Sequence, residues 1–305
     1  MAQTVITGAT GTIGRALARA LTAQGDQVVA LSRNPGRAQG ALGDGVVHHA
    51  WPEPKQAPPP ADALAGADAV IHLLGEPIAQ RWNAKVKREI EESRVLSTRM
   101  LVQGLRELPA ADRPSVLVSQ SATGYYGPHG EEPVEEDAPA GDDFLAGVVV
   151  EWEREANAIA ADMRVVCTRT GVVLSPSGGA LSTMLPFFRL GLGGPVAGGR
   201  QYVPWIHLVD VVGALLRCAT EPSLQGPVNT TAPNPVTNRE LTRSLARTLH
   251  RPAIFPVPSA ALHLLYGEMA QVVTTGARVL PRRLQDAGYA FTYRELDPAL
   301  RDLLG

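Results

Sequence analysis

The sequence predicts an α/β protein, a doubly wound parallel sheet joined to a smaller, mainly helical region toward its carboxyl end. Three observations carry that expectation. The chain opens on a β-branched run, Thr4-Val5-Ile6-Thr7, which breaks into Gly8, Gly11 and Gly14 before a helical pattern begins. Short apolar runs and amphipathic helical stretches then alternate down the chain. With 305 residues and 45% hydrophobic side chains, it can bury one large core, or a large core with a smaller companion.

Composition excludes several classes of function. Net charge is −2 and the basic residues are scattered, which argues against a nucleic-acid partner. No long apolar run exists, so no membrane partner is expected. The first strand begins almost at once and leaves no room for a signal peptide. Cys167 falls in an expected buried strand and Cys218 on a helix, which implies neither a disulfide framework nor a metal site. These features describe a soluble, cytoplasmic protein.

The opening reads as strand, phosphate loop and helix. Residues without Cβ let the backbone close on a pyrophosphate, whose charge meets the open N–H groups of the following helix. The spacing is Gly-x-x-Gly-x-x-Gly, not Gly-x-Gly-x-x-Gly, and glycines also make ordinary turns. The strand before and helix after strengthen the phosphate reading. After the helix to Gln24, the strand Gln27–Ser32 ends in Ser32-Arg33, with Arg37 beyond, where NAD-type folds place an acidic residue. A hydroxyl and guanidinium groups suit a 2′-phosphate, favouring NADP(H) over NAD(H), and a solvated surface turn is the alternative.

From Pro35 to Ala65 the chain is an irregular Gly, Ala and Pro-rich excursion around a short strand. His48 and His49 there face opposite ways and cannot share a metal. The apolar strand from Ala69 delivers Leu73-Leu74-Gly75-Glu76 beside the glycine loop. A long helix spans Trp82 to Glu107, with Glu89 and Arg94 on its polar face as a helical ion pair. That helix either pairs with a copy of itself in a homodimer or covers the sheet. The next strand, Val116–Ser119, ends in Gln120-Ser121-Ala122-Thr123-Gly124-Tyr125-Tyr126-Gly127.

This last segment resembles the extended short-chain dehydrogenase/reductases of nucleotide-sugar epimerase type, in which a strand ends in a Ser-Ala-Thr-like run followed by Tyr-Gly. The resemblance narrows to an epimerase-family subgroup with its own C-terminal domain. Its marks include Thr7 to Gly14, Leu73 to Ile78, Arg81-Trp82-Asn83, Ser93-Arg94, Phe144-Leu145-Ala146 and Trp152-Glu153. Arg169 to Leu174, Leu190 to Pro195, Val203 to His207 and the Pro256 to Leu284 segment complete the set. The resemblance implies that Gly8, Gly11 and Gly14 hold the pyrophosphate, lined by Thr10, Thr12 and Ile13. It places Ser32 and Arg33 at the adenosine ribose phosphate, Leu73 and Leu74 at adenine and ribose, Glu89 and Arg94 as cofactor neighbours, and Val172 and Val173 at the nicotinamide.

Reductases and epimerases of this class use a Tyr and, four residues later on one helix face, a Lys that lowers the phenol pKa. Counting back from Arg169 puts those positions on Gly147 and Glu151, and the helix Phe144 to Ala161 contains neither Tyr nor Lys. Two readings follow. In one, an NADP-dependent oxidoreductase or epimerase-like enzyme of unknown small-molecule substrate uses Ser121 to hold a substrate oxygen and Tyr125 or Tyr126 as proton donor. Glu151 serves as acid or base there if burial raises its pKa. In the other, the protein binds NADP(H) without turnover as a redox sensor or regulatory module, and Ser121 and both tyrosines are a packed strand-end turn.

The domain division expected is 1–175 for the Rossmann part, completed by about 205–232, with 176–204 and 233–305 as the substrate-side region. Within it, Tyr202 to His207 reads as a strand, Asp210 as a helix cap or substrate ligand, and Thr237 to Glu240 as a capping box. Helices are expected over Ala260 to Gly267 and Met269 to Arg278. Arg278, Arg282 and Arg283 either meet an anionic substrate or lie at a solvated helix end.

Overall fold

A computed structural model describes residues Met1–Gly305. Strand and helix alternate through β1 (Gln3–Thr7), α1 (Thr12–Ala23), β2 (Gln27–Ser32), α2 (Pro35–Leu42), β3 (Val46–Ala50), α3 (Ala61–Leu64) and β4 (Ala69–His72). It continues through α4 (Ala84–Glu107), β5 (Val116–Ala122), the short β6 (Pro133–Val134), α5 (Phe144–Asn157) and β7 (Arg164–Thr170). Later in the chain, β11 (Gly226–Thr230) returns to the edge of this sheet, giving the all-parallel order β11-β7-β5-β4-β1-β2-β3. Strand order reverses between β1 and β4, where carboxyl ends of parallel strands leave a crevice.

The strands are apolar on both faces because each face is covered. Alternation sends Ile6, Val28, Ile71, Val118 and Val166 into one core with Leu17 and Leu21 of α1. Their neighbours Val5, Val29, Val70, Leu117 and Val165 enter the other with Leu101 and Leu105 of α4. Side chains set where helices begin: Asn83 Oδ1 accepts from Val86 N at 2.9 Å, and Asp143 Oδ1 accepts from Ala146 N at 2.9 Å.

Most of the remaining elements build a second, smaller region. β8 (Val172–Leu174) leaves the end of β7 and, after α6 (Gly179–Arg189) and β9 (Tyr202–Val203), pairs in parallel with β10 (Trp205–His207). α7 (Leu208–Thr220) then leads to β11. Beyond β11 come β12 (Val236–Thr237), α8 (Asn238–Leu249), α9 (Ser259–Tyr266), α10 (Ala270–Thr274), β13 (Arg278–Val279), α11 (Arg282–Asp286) and α12 (Leu296–Leu304). A third core holds Leu174, Leu185, Phe188, Trp205, Leu245, Leu296 and Leu300. No helix is long and apolar enough to cross a membrane.

Three local expectations change. The single strand over Tyr202–His207 is cut at Pro204, which lacks an N–H for a ladder, while its carbonyl accepts from Val172 N at 2.7 Å. The second C-terminal helix stops at Thr274, and Arg278 belongs to β13. Asp210 is not the cap of α7: His207 Nδ1 takes that role by accepting from Val209 N. The fully buried Asp210 carboxylate accepts instead from Thr292 N (2.7 Å) and Tyr293 N (2.8 Å), tying the C-terminal segment to α7. The capping box at Thr237 and Glu240 forms as expected.

Candidate cofactor cleft and substrate chamber

The glycine loop is shaped by contacts that no Cβ would allow. Gly8 has φ +67°, and a Cβ there would stand 2.7 Å from Leu73 O; a Cβ on Gly14 would stand 2.4 Å from Gly8 O. Gly11 heads α1 without any side-chain cap, so the first N–H groups of the helix stay available. A cleft of about 540 Å³ opens there, lined by Gly8, Thr10, Ser32, Arg33, Leu74 and two further guanidinium groups, Arg15 and Arg37. No carboxylate lines it. Three guanidiniums and a bare helix start in one cleft fit a dinucleotide carrying a phosphate beyond its pyrophosphate.

The other expected cofactor positions divide. Thr12 lies under the 175–179 loop, where a Cβ on Gly178 would reach 2.3 Å from its hydroxyl. Ile13 packs on the core beneath the loop. Leu73 N donates to Thr7 Oγ1 at 3.1 Å, which fixes the turn after β4. Arg94 is half-buried behind that turn, donating to Glu76 O at 3.0 Å and Ile90 O at 3.0 Å. Burial lowers its pKa to about 10, against the pull of Glu76. Glu89 is a correction on both counts: it pairs with neither Arg94 nor the cleft, because Lys55 Nζ holds it at 2.9 Å from a different segment. Val173 is in register with Ile206 in the β8–β10 pair, while Val172 reaches the second cavity.

That second cavity, about 480 Å³, lies between the carboxyl ends of β5 and β7 and the smaller region. Thr123, Gly124, Phe144, Leu145 and Val172 form the sheet side; Met184, Tyr202, Val203, Leu241 and Val273 form the opposite wall. Trp82 and Phe144 meet edge to face with centroids 5.2 Å apart. Lys87 crosses the mouth to Glu268, its ammonium 4.9 Å from the Phe144 ring.

Three of the four expected catalytic residues, Ser121, Tyr125 and Tyr126, are brought together, but around a buried polar network and not at the chamber. Ser121 Oγ donates to Glu153 Oε1 at 2.6 Å, and Arg169 grips both oxygens of Glu153 at 2.8 Å each. Tyr126 donates to Asn229 Oδ1 at 2.6 Å and accepts from Arg169 Nη1 at 3.0 Å. Burial pushes the Tyr126 phenol up to about 12, so it holds its proton. The Tyr125 ring lies under the Arg169 guanidinium, 3.4 Å from Cζ to centroid. The chamber wall runs through Thr123, Gly124 and Gly127 and passes both tyrosines by.

The register expected for α5 also moves. Glu151 is half-exposed and paired with Arg154 at 2.6 Å, so it is neither buried nor turned to the chamber. The face turned to the strand ends carries Leu145 on the chamber wall and, two turns on, Glu153 at Ser121; Val149 lies between them. The relay positions therefore hold Leu and Val, not Gly147 and Glu151. Among groups the sequence reading passed over, Arg15 is one residue past Gly14 on a helix whose cleft-facing side only the loop geometry defines. Glu153, Glu136 and Asn229 become polar partners only through long-range packing, Asn229 N donating to Glu136 Oε1 at 3.0 Å. Arg282 and Arg283 bond Asp286 and Asp137 and do not reach the chamber.

Comparison with known proteins agrees with this geometry. The profile of the NAD dependent epimerase/dehydratase family matches residues 4–230, and a domain of unknown function (DUF1731) matches residues 257–303. The chain is 40% identical over 303 residues to the chloroplastic epimerase family protein SDR39U1 homolog of Arabidopsis thaliana, covering 98% of this chain and 86% of that protein. It is 36% identical over 305 residues to the Homo sapiens epimerase family protein SDR39U1, covering 98% and 99%. The crystal structure of human epimerase family protein SDR39U1 (isoform 2) with NADPH superimposes with a TM-score of 0.88 at 34% identity, covering 99% of both chains. A nucleoside-diphosphate sugar epimerase from Corynebacterium glutamicum gives 0.78 at 32% identity, covering 100% of this chain and 58% of that one. The chain therefore belongs to the NAD dependent epimerase/dehydratase family of the short-chain dehydrogenase/reductase superfamily, in its branch with a DUF1731 carboxyl-terminal domain.

Proposed function

We propose that the protein is an NADPH-dependent oxidoreductase acting on a small molecule held in the 480 Å³ chamber. The observation that carries this reading is the placement of two cavities on either side of the switch point. The arginine-lined cleft follows β1 and β2, and the chamber follows β5 and β7. The glycine loop and the start of α1 would hold the pyrophosphate, and Arg15, Arg33 and Arg37 the 2′-phosphate. Once bound, NADPH supplies a hydride to an acceptor carbon, whose oxygen then takes a proton. Val172 and Leu145 offer an apolar wall that excludes water, and positioning alone contributes much of the rate in such a transfer. Thr123 and Tyr202, both hydroxyl-bearing, line the chamber, where the usual Tyr and Lys are missing. A cytoplasmic setting suits two buried, unpaired thiols.

The apolar relay positions Leu145 and Val149, and the internal use of Ser121 and Tyr126, favour a second reading, a redox sensor that binds NADPH without turnover. Calorimetry with NADPH, NADP⁺ and NADH, followed by NADPH absorbance with a broad carbonyl panel, separates the two. Preference for the phosphorylated cofactor with oxidation of any panel member supports the oxidoreductase. Tight binding without oxidation across the panel supports the sensor, and equal affinity for NADH overturns the cofactor assignment.

A further inference from the structure

The chamber and the cofactor cleft are lined by opposite chemistries. In the cleft, Arg15, Arg33 and Arg37 stand with no carboxylate among the lining residues. In the chamber the only cation is Lys87, and Glu268 already neutralises it across the mouth. A second carboxylate, Asp143, also lines the chamber. Arg278 does not reach in: its guanidinium lies 5.7 Å from the centroid of the Tyr202 ring and is not part of the wall. Half of the 24 lining residues are hydrophobic. An anion entering this space finds two carboxylates against one spoken-for ammonium, and its charge gains no partner to replace water.

We infer that the substrate is an uncharged, largely apolar carbonyl compound, or the matching alcohol, and that nucleoside diphosphate sugars are excluded. A diphosphate calls for guanidinium or ammonium groups, which this chain gathers in the cleft and withholds from the chamber. The Trp82 and Phe144 rings, with Leu145, Met184 and Val203, supply the apolar contact. Tyr202 and Thr123 are among the uncharged polar residues of the wall, with Gln271 and Thr275, that suit a carbonyl oxygen. This inference rests on reading the chamber as the substrate site, and it concerns binding, so it can fail or survive independently of turnover.

The test is ligand-observed NMR on the NADPH-loaded protein with two probe sets: UDP-glucose, and uncharged ketones and aldehydes from cyclohexanone to 2-naphthaldehyde. Val203→Trp fills the chamber from β9 and Met184→Trp from α6, two elements of the same wall, so two independent variants report on it if one misfolds. Saturation transfer to neutral carbonyls, weakened at least tenfold in a filled variant whose NADPH affinity is unchanged, is the expected result. UDP-glucose should give no chamber-dependent signal, and Glu268→Gln should improve binding of the anionic 2-naphthoate severalfold. UDP-glucose binding that is lost in the filled variants overturns the inference, as does the absence of chamber-dependent binding by every neutral probe. NADPH oxidation, followed separately, decides the oxidoreductase reading: neutral ligands that bind without oxidation remove that reading and leave this one standing.

Discussion

The hydroxyl of Ser121 is 2.6 Å from a carboxylate oxygen of Glu153, and both side chains are nearly closed to solvent, at 1% and 8% exposure. The role expected of this serine from its place at the strand end is to hold a substrate oxygen. Here it completes a buried pair, since Glu153 is held on its other side by Arg169. Glu153 stands two turns beyond Leu145 on the same helical face, so the helix carrying the usual proton relay closes the network instead.

Ser121→Ala should therefore act on stability and leave cofactor binding alone. Removing the hydroxyl leaves a buried carboxylate one donor short, a loss of about 1–3 kcal/mol. Urea unfolding should show that decrease while the NADPH affinity, measured by calorimetry, stays within twofold. An unchanged midpoint combined with a lowered turnover would return Ser121 to the substrate.

Glu153→Gln removes the counter-charge of Arg169 in the same place. Breaking a buried ion pair from one side costs about 3–5 kcal/mol, because the remaining charge keeps its desolvation without its partner. Arg169 then keeps only uncharged partners: Tyr126 Oη, Glu136 O, the Tyr125 ring and the single amide oxygen left at position 153. Unfolding midpoints should fall further for Glu153→Gln than for Ser121→Ala, and the reverse order would show that the ion pair is not the centre of this network.

Arg33→Ala separates the two nicotinamide cofactors. Arg33 lines the cleft with Arg15 and Arg37, and loss of one charge-assisted bond to a phosphate should weaken NADPH by about 1–3 kcal/mol. NADH lacks that phosphate and should lose little. Calorimetric titration of each cofactor against the variant checks the difference, and equal weakening would move the 2′-phosphate elsewhere.

What the sequence revealed and what it hid follow one physical division. The glycine loop, β1, β2 and β4 were legible because their signals are local: apolar runs, glycines at fixed spacing, a helix pattern at once afterwards. Ser32-Arg33 was legible because the position after the second strand has a fixed duty in this fold. The face of α5 was not, since Leu145, Ala146, Val148, Val149, Val150 and Trp152 make the helix apolar nearly all round, and periodicity then selects no side. A register two residues off was the result, which put Glu151 where Val149 is and overlooked Glu153. Glu89 misled for a related reason: its partner, Lys55, comes from the irregular excursion 34 residues away, which no helical spacing rule sees.

His72 gives the fold a defined dependence on pH. The imidazole is fully buried at the end of β4, with Thr7 Oγ1 2.7 Å from Nδ1 and Thr98 Oγ1 3.0 Å from Nε2. Thr98 gives its own proton to Arg94 O at 2.7 Å and accepts from Trp152 Nε1 at 2.9 Å. Nε2 must therefore donate to Thr98 and Nδ1 accept from Thr7, a neutral ring with both nitrogens satisfied. Burial depresses the pKa from 6.5 to about 3. Between those values the unfolded chain binds a proton that the folded chain refuses, so stability rises with pH across this window and is lost as pH falls through it. The slope contributed is at most about 1.4 kcal/mol per pH unit. His207, also depressed by burial, adds in the same direction, while Glu136, raised by burial, opposes it at the acid end. Urea unfolding from pH 7 to pH 5 should show the loss, and His72→Gln, which does not titrate, should flatten much of it. A variant slope equal to that of the unmodified chain would mean that His72 takes up its proton as readily in the folded state as in the unfolded one, with Nδ1 then donating to Thr7 in place of accepting.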